Sequence, residues 1–306
     1  MGNLLGRIFG SIRDLLGLPV TIREYFDAIK MNQGLLLSAS ISDRSEYLFL
    51  SDLEFQIFSQ FGDDGIIQYL TKNIECNYKT FIEFGVEDFS ESNTRFLLQK
   101  DNWSGLVLDG SLSNIKRLKK GNIYWKHDLD ARAEFITKDN IAALLNPKVK
   151  EWRGLDLLHI DLDGNDYWIW KELELRPTIL IMEYNSCFGY DRSITIPYAS
   201  DFRRTSAHSS NLYWGCSLKG IYDLSLEKGY SFIGCNSAGN NAYFILKNKM
   251  NGAVQEVTLE RGFVASKYRE SRDKSGALTY INGSERLEEI KGMPVFNIEK
   301  QMIEAI

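Results

Sequence analysis

The chain has 306 residues, 44% of them hydrophobic and 25% charged, enough to bury one large core with additions around it. A formal net charge of -5, with one dense basic run at Lys116-Arg117-Leu118-Lys119-Lys120, leaves no electrostatic footprint for nucleic acid. The scattered Cys76, Cys187, Cys216 and Cys235 form no C-x-x-C pair, which argues against a disulfide framework or a zinc site and fits reduced thiols in a cytoplasmic compartment.

At the N-terminus Leu4, Leu5, Ile8, Phe9, Ile12, Leu15 and Leu16 recur at helical spacing, interrupted by Arg7, Arg13 and Asp14. That pattern predicts an amphipathic helix and not a secretion signal. Such a helix would pack on the body or on a second copy of the chain, or lie on a membrane surface, for which its basic residues are few. Helical decoration continues to about Tyr47, and no apolar run reaches transmembrane length. Residues 1–54 therefore read as a helical extension, 55–250 as the main domain and 251–306 as a C-terminal appendage.

Asp63 or Asp64 is expected to cap a helix over Ile66 to Ile74. Phe81 to Phe84 then forms a short apolar strand closed by Gly85, where a Cβ would crowd a ligand crossing the strand tip. A helical run from Asn93 to Lys100 and a second buried strand, Gly105 to Leu108, ending at Asp109-Gly110, complete a βαβ unit. In an open α/β sheet ligands sit beyond the carboxyl ends of the strands, where Glu83, Gly85 and Asp109 emerge. Asp109 is placed to accept from both hydroxyls of a ribose, each charge-assisted bond being worth roughly 1.5–3 kcal/mol. The turn Gly85-Val86-Glu87-Asp88-Phe89-Ser90 lacks the G-x-G-x-x-G of a dinucleotide site, and its acids repel phosphate. They suit a cationic nucleoside, and S-adenosylmethionine, with its sulfonium and ammonium, is one. An ordinary βαβ unit without a ligand is the alternative.

A third strand is expected at Ile123 to Lys126, ending at His127-Asp128, and a fourth at Leu155 to Ile160. The fourth delivers Asp161-Leu162-Asp163-Gly164-Asn165-Asp166, whose carboxylates repel one another unless something positive lies among them. Asp161 is placed to meet the cofactor's ammonium or the nucleophile, and Asp163 to stand beside a divalent ion such as Mg2+. Helix capping is the other reading of Asp166. The fifth strand, Thr178 to Met182, ends in Glu183-Tyr184-Asn185, which brings Glu183 and Asn185 to the same rim for a sugar hydroxyl or a metal.

Ser186 to Gly215 is a long aromatic-rich connection that reads as a substrate cover. Within it Arg203 and Arg204 suit a phosphate or carboxylate, and Tyr198, Tyr213 and Trp214 suit stacking on sugar rings. His208 is a candidate general base by its near-neutral pKa, or a surface histidine. A helix at Ser217 to Lys228 leads to two strands, Tyr230 to Cys235 and Ala242 to Leu246. Their connection is too short for a parallel crossover, so they form a hairpin. Further helices are expected at Glu285 to Ile290 and Ile298 to Ile306.

With Glu83-x-Gly85, Asp109 and this order of elements, the chain resembles the class I S-adenosylmethionine-dependent methyltransferases. EFGVEDFSESNTRFL, WSGLVLDGS, IDLDGNDYWIW, EYN and GCNSAGNNAYF are most similar to the bacterial FkbM-type and related glycan-modifying methyltransferases. The resemblance covers about residues 55 to 250. It implies a Rossmann-like, mostly parallel seven-stranded sheet with a terminal antiparallel hairpin, and S-adenosylmethionine as cofactor. It also implies that Gln60 and Asp63 approach the cofactor, that Asn93 faces its methionine end and that Asp128 meets the adenine. The implied reaction is O-methylation of a sugar hydroxyl, in a surface polysaccharide or capsule or in its nucleotide-linked precursor. A different small-molecule acceptor, a dehydrogenase or epimerase, and a non-catalytic scaffold on the same fold remain open alternatives.

Overall fold

The computed structural model describes residues 22, 24–41, 47, 49–267 and 270–306. The expected amphipathic helix over Leu4 to Leu16 lies outside the described residues. Residues 24–41 form helix α1. It approaches the body closely because Gly34 has no side chain: a Cβ there would stand 2.5 Å from the Phe96 ring. One turn on, Ser38 Oγ donates to Gln68 Oε1 at 3.1 Å.

Seven strands make the main sheet. β1 (Thr80–Phe84), β2 (Ser104–Asp109), β3 (Leu129–Ala133), β4 (Leu157–Ile160) and β5 (Ile179–Glu183) run parallel, while β8 (Asn241–Leu246) pairs antiparallel with both β5 and β7 (Tyr230–Cys235). The order is β3-β2-β1-β4-β5-β8-β7, the mostly parallel arrangement with a terminal antiparallel hairpin that the sequence predicts. Strand order reverses between β1 and β4, which opens a crevice at their carboxyl ends.

The strands are apolar on both faces because helices cover both. Phe81, Val107, Leu157, Ile179 and Tyr243 pack on the side of α2 (Asp63–Asn73), α3 (Arg95–Asp101) and α4 (Leu112–Lys120). Ile82, Leu106, Leu158, Leu180 and Phe244 face α6 (Ile141–Trp152), α7 (Asp166–Glu172) and α9 (Leu218–Glu227). Each fully buried Leu, Ile or Phe contributes about 1.5–3 kcal/mol. The same alternation places Glu83 and His159 on one face, and the β1–β4 register sets them directly opposite each other.

A second sheet, β10-β9-β6, joins the connection after β5 to the C-terminal residues. β9 (Pro294–Asn297) pairs antiparallel with β6 (Ile194–Thr195) on one side and β10 (Met302–Ala305) on the other. Phe188, Ile194, Ile196, Leu212, Ile290 and Val295 form its core, with the short helices α8 (Arg204–Ala207), α10 (Leu259–Gly262) and α11 (Glu285–Glu289) nearby in the chain.

Three local expectations are corrected. The strand expected at Ile123 to Lys126 is helix α5 (Asn122–Lys126), with Trp125 71% exposed, and the third strand starts at Leu129, where apolar Leu129 and Ala131 alternate with Asp130. A run of four large residues fits either period, and only the alternation after it fits a buried strand. The helix expected at Ile298 to Ile306 is a turn followed by β10, because edge pairing to β9 overrides the helix propensity of Glu299-Lys300-Gln301. Neither Asp63 nor Asp64 caps α2, whose N-cap is Gly62. Asp64 Oδ2 instead accepts from the amides of Ile57, Phe58 and Ser59 at 2.7–2.8 Å and shapes the preceding loop.

Candidate active site

A cavity of about 480 Å³ opens at the carboxyl ends of β1, β2, β4 and β5. At the tip of β1, Gly85 has φ +69 and a Cβ on it would stand 2.3 Å from the Asp161 carbonyl oxygen. Glycine is required there twice over, by backbone conformation and by the approach of the two strand tips. Gly110, at the tip of β2, also lines the cavity.

Glu83 lines the same cavity but is fully engaged by the protein. Its Oε1 accepts from Asn93 N at 2.9 Å and from His159 Nδ1 at 3.1 Å. Oε2 accepts from Ser92 Oγ at 2.5 Å, Thr94 N at 3.2 Å and Thr94 Oγ1 at 2.5 Å. Burial alone would raise its pKa; the bonds from His159, Ser92 and Thr94 outweigh that and hold it below the usual carboxylate value. Burial likewise works against charge on His159, and Glu83 overcomes it, leaving the imidazole raised. Asn93 Nδ2 lies 3.3 Å from His159 Nε2. Glu83 thus orders the Ser92–Thr94 loop and the His159 ring, and a direct cofactor contact by this carboxylate is corrected to a supporting one. His159 went unrecognised in the apolar run Leu157-Leu158-His159-Ile160, although it stands as far before its strand tip as Glu83 does before Gly85.

Asp109 accepts from Glu87 N at 2.8 Å, Ser111 N at 2.7 Å and Asn114 Nδ2 at 3.3 Å. A carboxylate has about four lone-pair sites. Three donors leave its carboxylate, on the cavity wall, with capacity to accept from a ribose. Asp63 is corrected too: Tyr243 Oη, Asn236 Nδ2 and Asn241 Nδ2 all donate to its carboxylate, which pins α2 to the β7–β8 turn. Gln60 is exposed on the cavity wall.

Asp128 lies before β3, at the opposite end of the sheet, and accepts from Ser104 Oγ at 2.5 Å. The place expected for it is filled by Glu134, Phe135 and Ile136, which follow β3 and line the cavity. Misplacing the third strand concealed them. Arg203 does not line the cavity; its guanidinium stands 5.3 Å from the Phe135 ring centroid.

Oxygens of Asp161, Asp163 and Glu183 all lie within 4.8 Å of one another. Asp161 is pushed up to about 6 by burial first and by Asp163 second. Glu183 is raised well above its ordinary value by burial and then by Asp161, and its Oε2 is buried without a partner. Two adjacent carboxyls cannot both ionise cheaply, so the pair favours a shared proton, with Glu183 the more strongly raised of the two. The donor set has hard-ion chemistry. Arg204, however, already supplies a cation: its Nη1 is 2.6 Å from Asp163 Oδ1 and its Nη2 3.7 Å from Glu270 Oε2. Asp166 caps nothing; it accepts from Leu162 N at 2.7 Å and Gly164 N at 2.9 Å, clamping the acidic loop.

Asn185 is buried with its amide donating to the carbonyls of Leu212 and Trp214, each at 2.9 Å, which fixes the connection after β5, and it lines a smaller cavity beside the main one. Two further expected residues stand elsewhere. Tyr198 Oη accepts from Lys138 N at 3.2 Å and its ring lies under Lys138 Nζ, outside the cavity. His208 also stands outside it, with Nδ1 2.7 Å from Ser210 Oγ.

No protein-family model matches the chain, and no curated protein does. Among solved structures, the N-terminal domain of EvdMO1 with SAH bound superposes at TM-score 0.34 and 10% identity, covering 58% of this chain and 82% of that one. The same domain in the presence of SAH and D-fucose gives TM-score 0.34 at 10% identity, over 54% and 73% of the two chains. A candidate sarcosine dimethylglycine methyltransferase from Galdieria sulphuraria gives TM-score 0.32 at 14% identity, over 64% and 74%. Superpositions this loose carry no argument about the ligand, and the fold stands on its own strand order.

Proposed function

We propose that the chain is an S-adenosylmethionine-dependent O-methyltransferase whose acceptor is a carbohydrate hydroxyl, in a surface polysaccharide or its nucleotide-linked precursor. The observation that carries the cofactor is the charge of the cavity. Glu87, Glu91, Asp109, Glu134 and Asp161 line it, with Arg204 and His159 as its cationic side chains among the described residues. A pyrophosphate would meet these acids, whereas a sulfonium and an ammonium are attracted by them. That disfavours a nicotinamide dinucleotide on the same sheet.

The remaining capacity of Asp109 accepts from the ribose, Gly85 and Gly110 leave the strand tips open to a bound chain, and Phe135 with Ile136 offers an apolar wall for the adenine. When bound, S-adenosylmethionine supplies a methyl group activated on sulfur. Asp161 takes the proton of the attacking hydroxyl, a role suited to a carboxylate raised to about 6. Glu183, the more strongly raised of the two, shares a proton with it. Alignment of acceptor and methyl provides most of the acceleration. The acceptor class rests on the resemblance of the strand-tip motifs.

Incubating the full chain with methyl-labelled S-adenosylmethionine and a panel of sugars and sugar phosphates tests the reading. Label in a base-stable ether of one sugar is expected; label in none of them, with cofactor bound, contradicts the acceptor class.

Among the described residues no helix is long and apolar enough to cross a membrane. Cytoplasmic location, assembly with a second copy and membrane-surface contact through the N-terminal residues belong to this proposal.

A further inference from the structure

Beside the main cavity lies a smaller one of about 120 Å³, sharing with it Gln60, Phe61, Glu183, Arg204 and Asn240. Its far wall includes Trp214 and, from the C-terminal residues, Arg286 and Glu270, whose Oε2 stands 3.7 Å from Arg204 Nη2. Arg286 sits in α11 and is 9% exposed. Its Nη1 donates to the Ser266 carbonyl at 3.3 Å, while its buried Nε has no partner. Among the described residues it forms no ion pair. A guanidinium taken out of water without a counter-ion is costly, and a fold retains one where something else completes it. Arg204 differs: it is held by Asp163, by Glu270 and by the Asn211 carbonyl.

The planar fork of an arginine matches a carboxylate or a phosphate. At about 120 Å³ the cavity has room for one such group and not for a nucleotide. Arg204 also lines this cavity and is held by Asp163 and Glu270, so the two guanidiniums flank the space with the nearby acids already engaged by Arg204. We propose that the methyl acceptor bears an anionic group, a sugar carboxylate or a phosphate monoester, and that Arg286 binds it while the acceptor's hydroxyl faces Asp161. This rests on the methyltransferase reading and extends it to the acceptor's charge. The main cavity takes a cation and the neighbouring one an anion, so the two ligands are sorted by charge before either is aligned.

The test is thermal unfolding of the full chain in inorganic phosphate, glucuronate or glucose, for the wild type and for Arg286→Leu, with S-adenosylhomocysteine titrated in parallel. Phosphate or glucuronate, but not glucose, raises the wild-type midpoint, and Arg286→Leu abolishes that rise while its S-adenosylhomocysteine affinity stays within about twofold. Which anion stabilises more tells carboxylate from phosphate. Equal rises in wild type and Arg286→Leu, or no rise with either anion, overturn the proposal. Should Arg286→Leu fail to fold, Arg286→Lys keeps the charge and loses the fork: anion affinity lowered at least about fivefold supports the site, and unchanged affinity overturns it. An anion effect that needs Arg286 without S-adenosylhomocysteine binding sinks the cofactor reading alone.

Discussion

Replacing Glu83 by glutamine tests the floor of the site without assuming any ligand. Glu83 is 3% exposed, and five donors converge on it: His159 Nδ1 and Asn93 N at one oxygen, and Ser92 Oγ, Thr94 N and Thr94 Oγ1 at the other. A glutamine amide must turn its NH2 toward one of these sets. The less costly orientation faces His159, which can change tautomer and accept, but the Asn93 amide is then stranded. A stranded buried donor costs about 1–3 kcal/mol, and the surviving bonds lose their charge assistance. The total expected is about 3–5 kcal/mol, the range for breaking a buried pair. Urea unfolding at several pH values measures it. The Glu83 contribution is present above its unfolded pKa near 4.5 and is lost as pH falls through its lowered folded value. The His159 contribution is present below 6.5 and is lost as pH rises through its raised folded value. The gap between wild type and variant is therefore widest from about pH 4.5 to 6.5. A gap below about 1 kcal/mol, or one independent of pH, refutes the account of Glu83.

Asp161→Asn is expected to lower methyl transfer by about 10²–10⁴-fold, and wild-type activity to fall about tenfold for each pH unit below its pKa near 6, as read from S-adenosylhomocysteine release; a flat profile from pH 5 to 8 removes Asp161 as base. Chelation by EDTA leaves transfer unchanged, because Arg204 supplies the cation at Asp163; a requirement for Mg2+ would reassign Asp161, Asp163 and Glu183 as ligands. Activity of His208→Ala stays within about twofold of wild type, since its ring is bound to Ser210 away from the cavity. A loss beyond about tenfold would return His208 to the reaction.

The sequence showed the architecture well because its signals are local. The βαβ unit from Thr80 to Asp109, the helix opened by Ser217 and the short link between β7 and β8 each follow from periodicity, capping and loop length. Where two periods fit the same residues the sequence is ambiguous: Ile123 to Lys126 is helix, packed on the neighbouring α4, and Met302 to Ala305 is strand, paired in a hairpin with β9. The rim acids were visible as types at strand tips, but their engagement was not. Glu83 and Asp63 look like ligand contacts in sequence and prove heavily engaged, because their donors come from residues 9 to 180 positions away. Arg286 carries no motif at all; it and Trp214 line one cavity although they are far apart in the chain.

The measurement bearing most directly on the central claim is calorimetric titration of the full chain with S-adenosylhomocysteine, repeated with Asp109→Ala. Asp109 keeps capacity to accept from a ribose, so saturable binding weakened about 10- to 150-fold by the substitution is predicted, equivalent to ~1.5–3 kcal/mol. No binding to the wild type would contradict the account and leave a binding protein or scaffold on the same sheet.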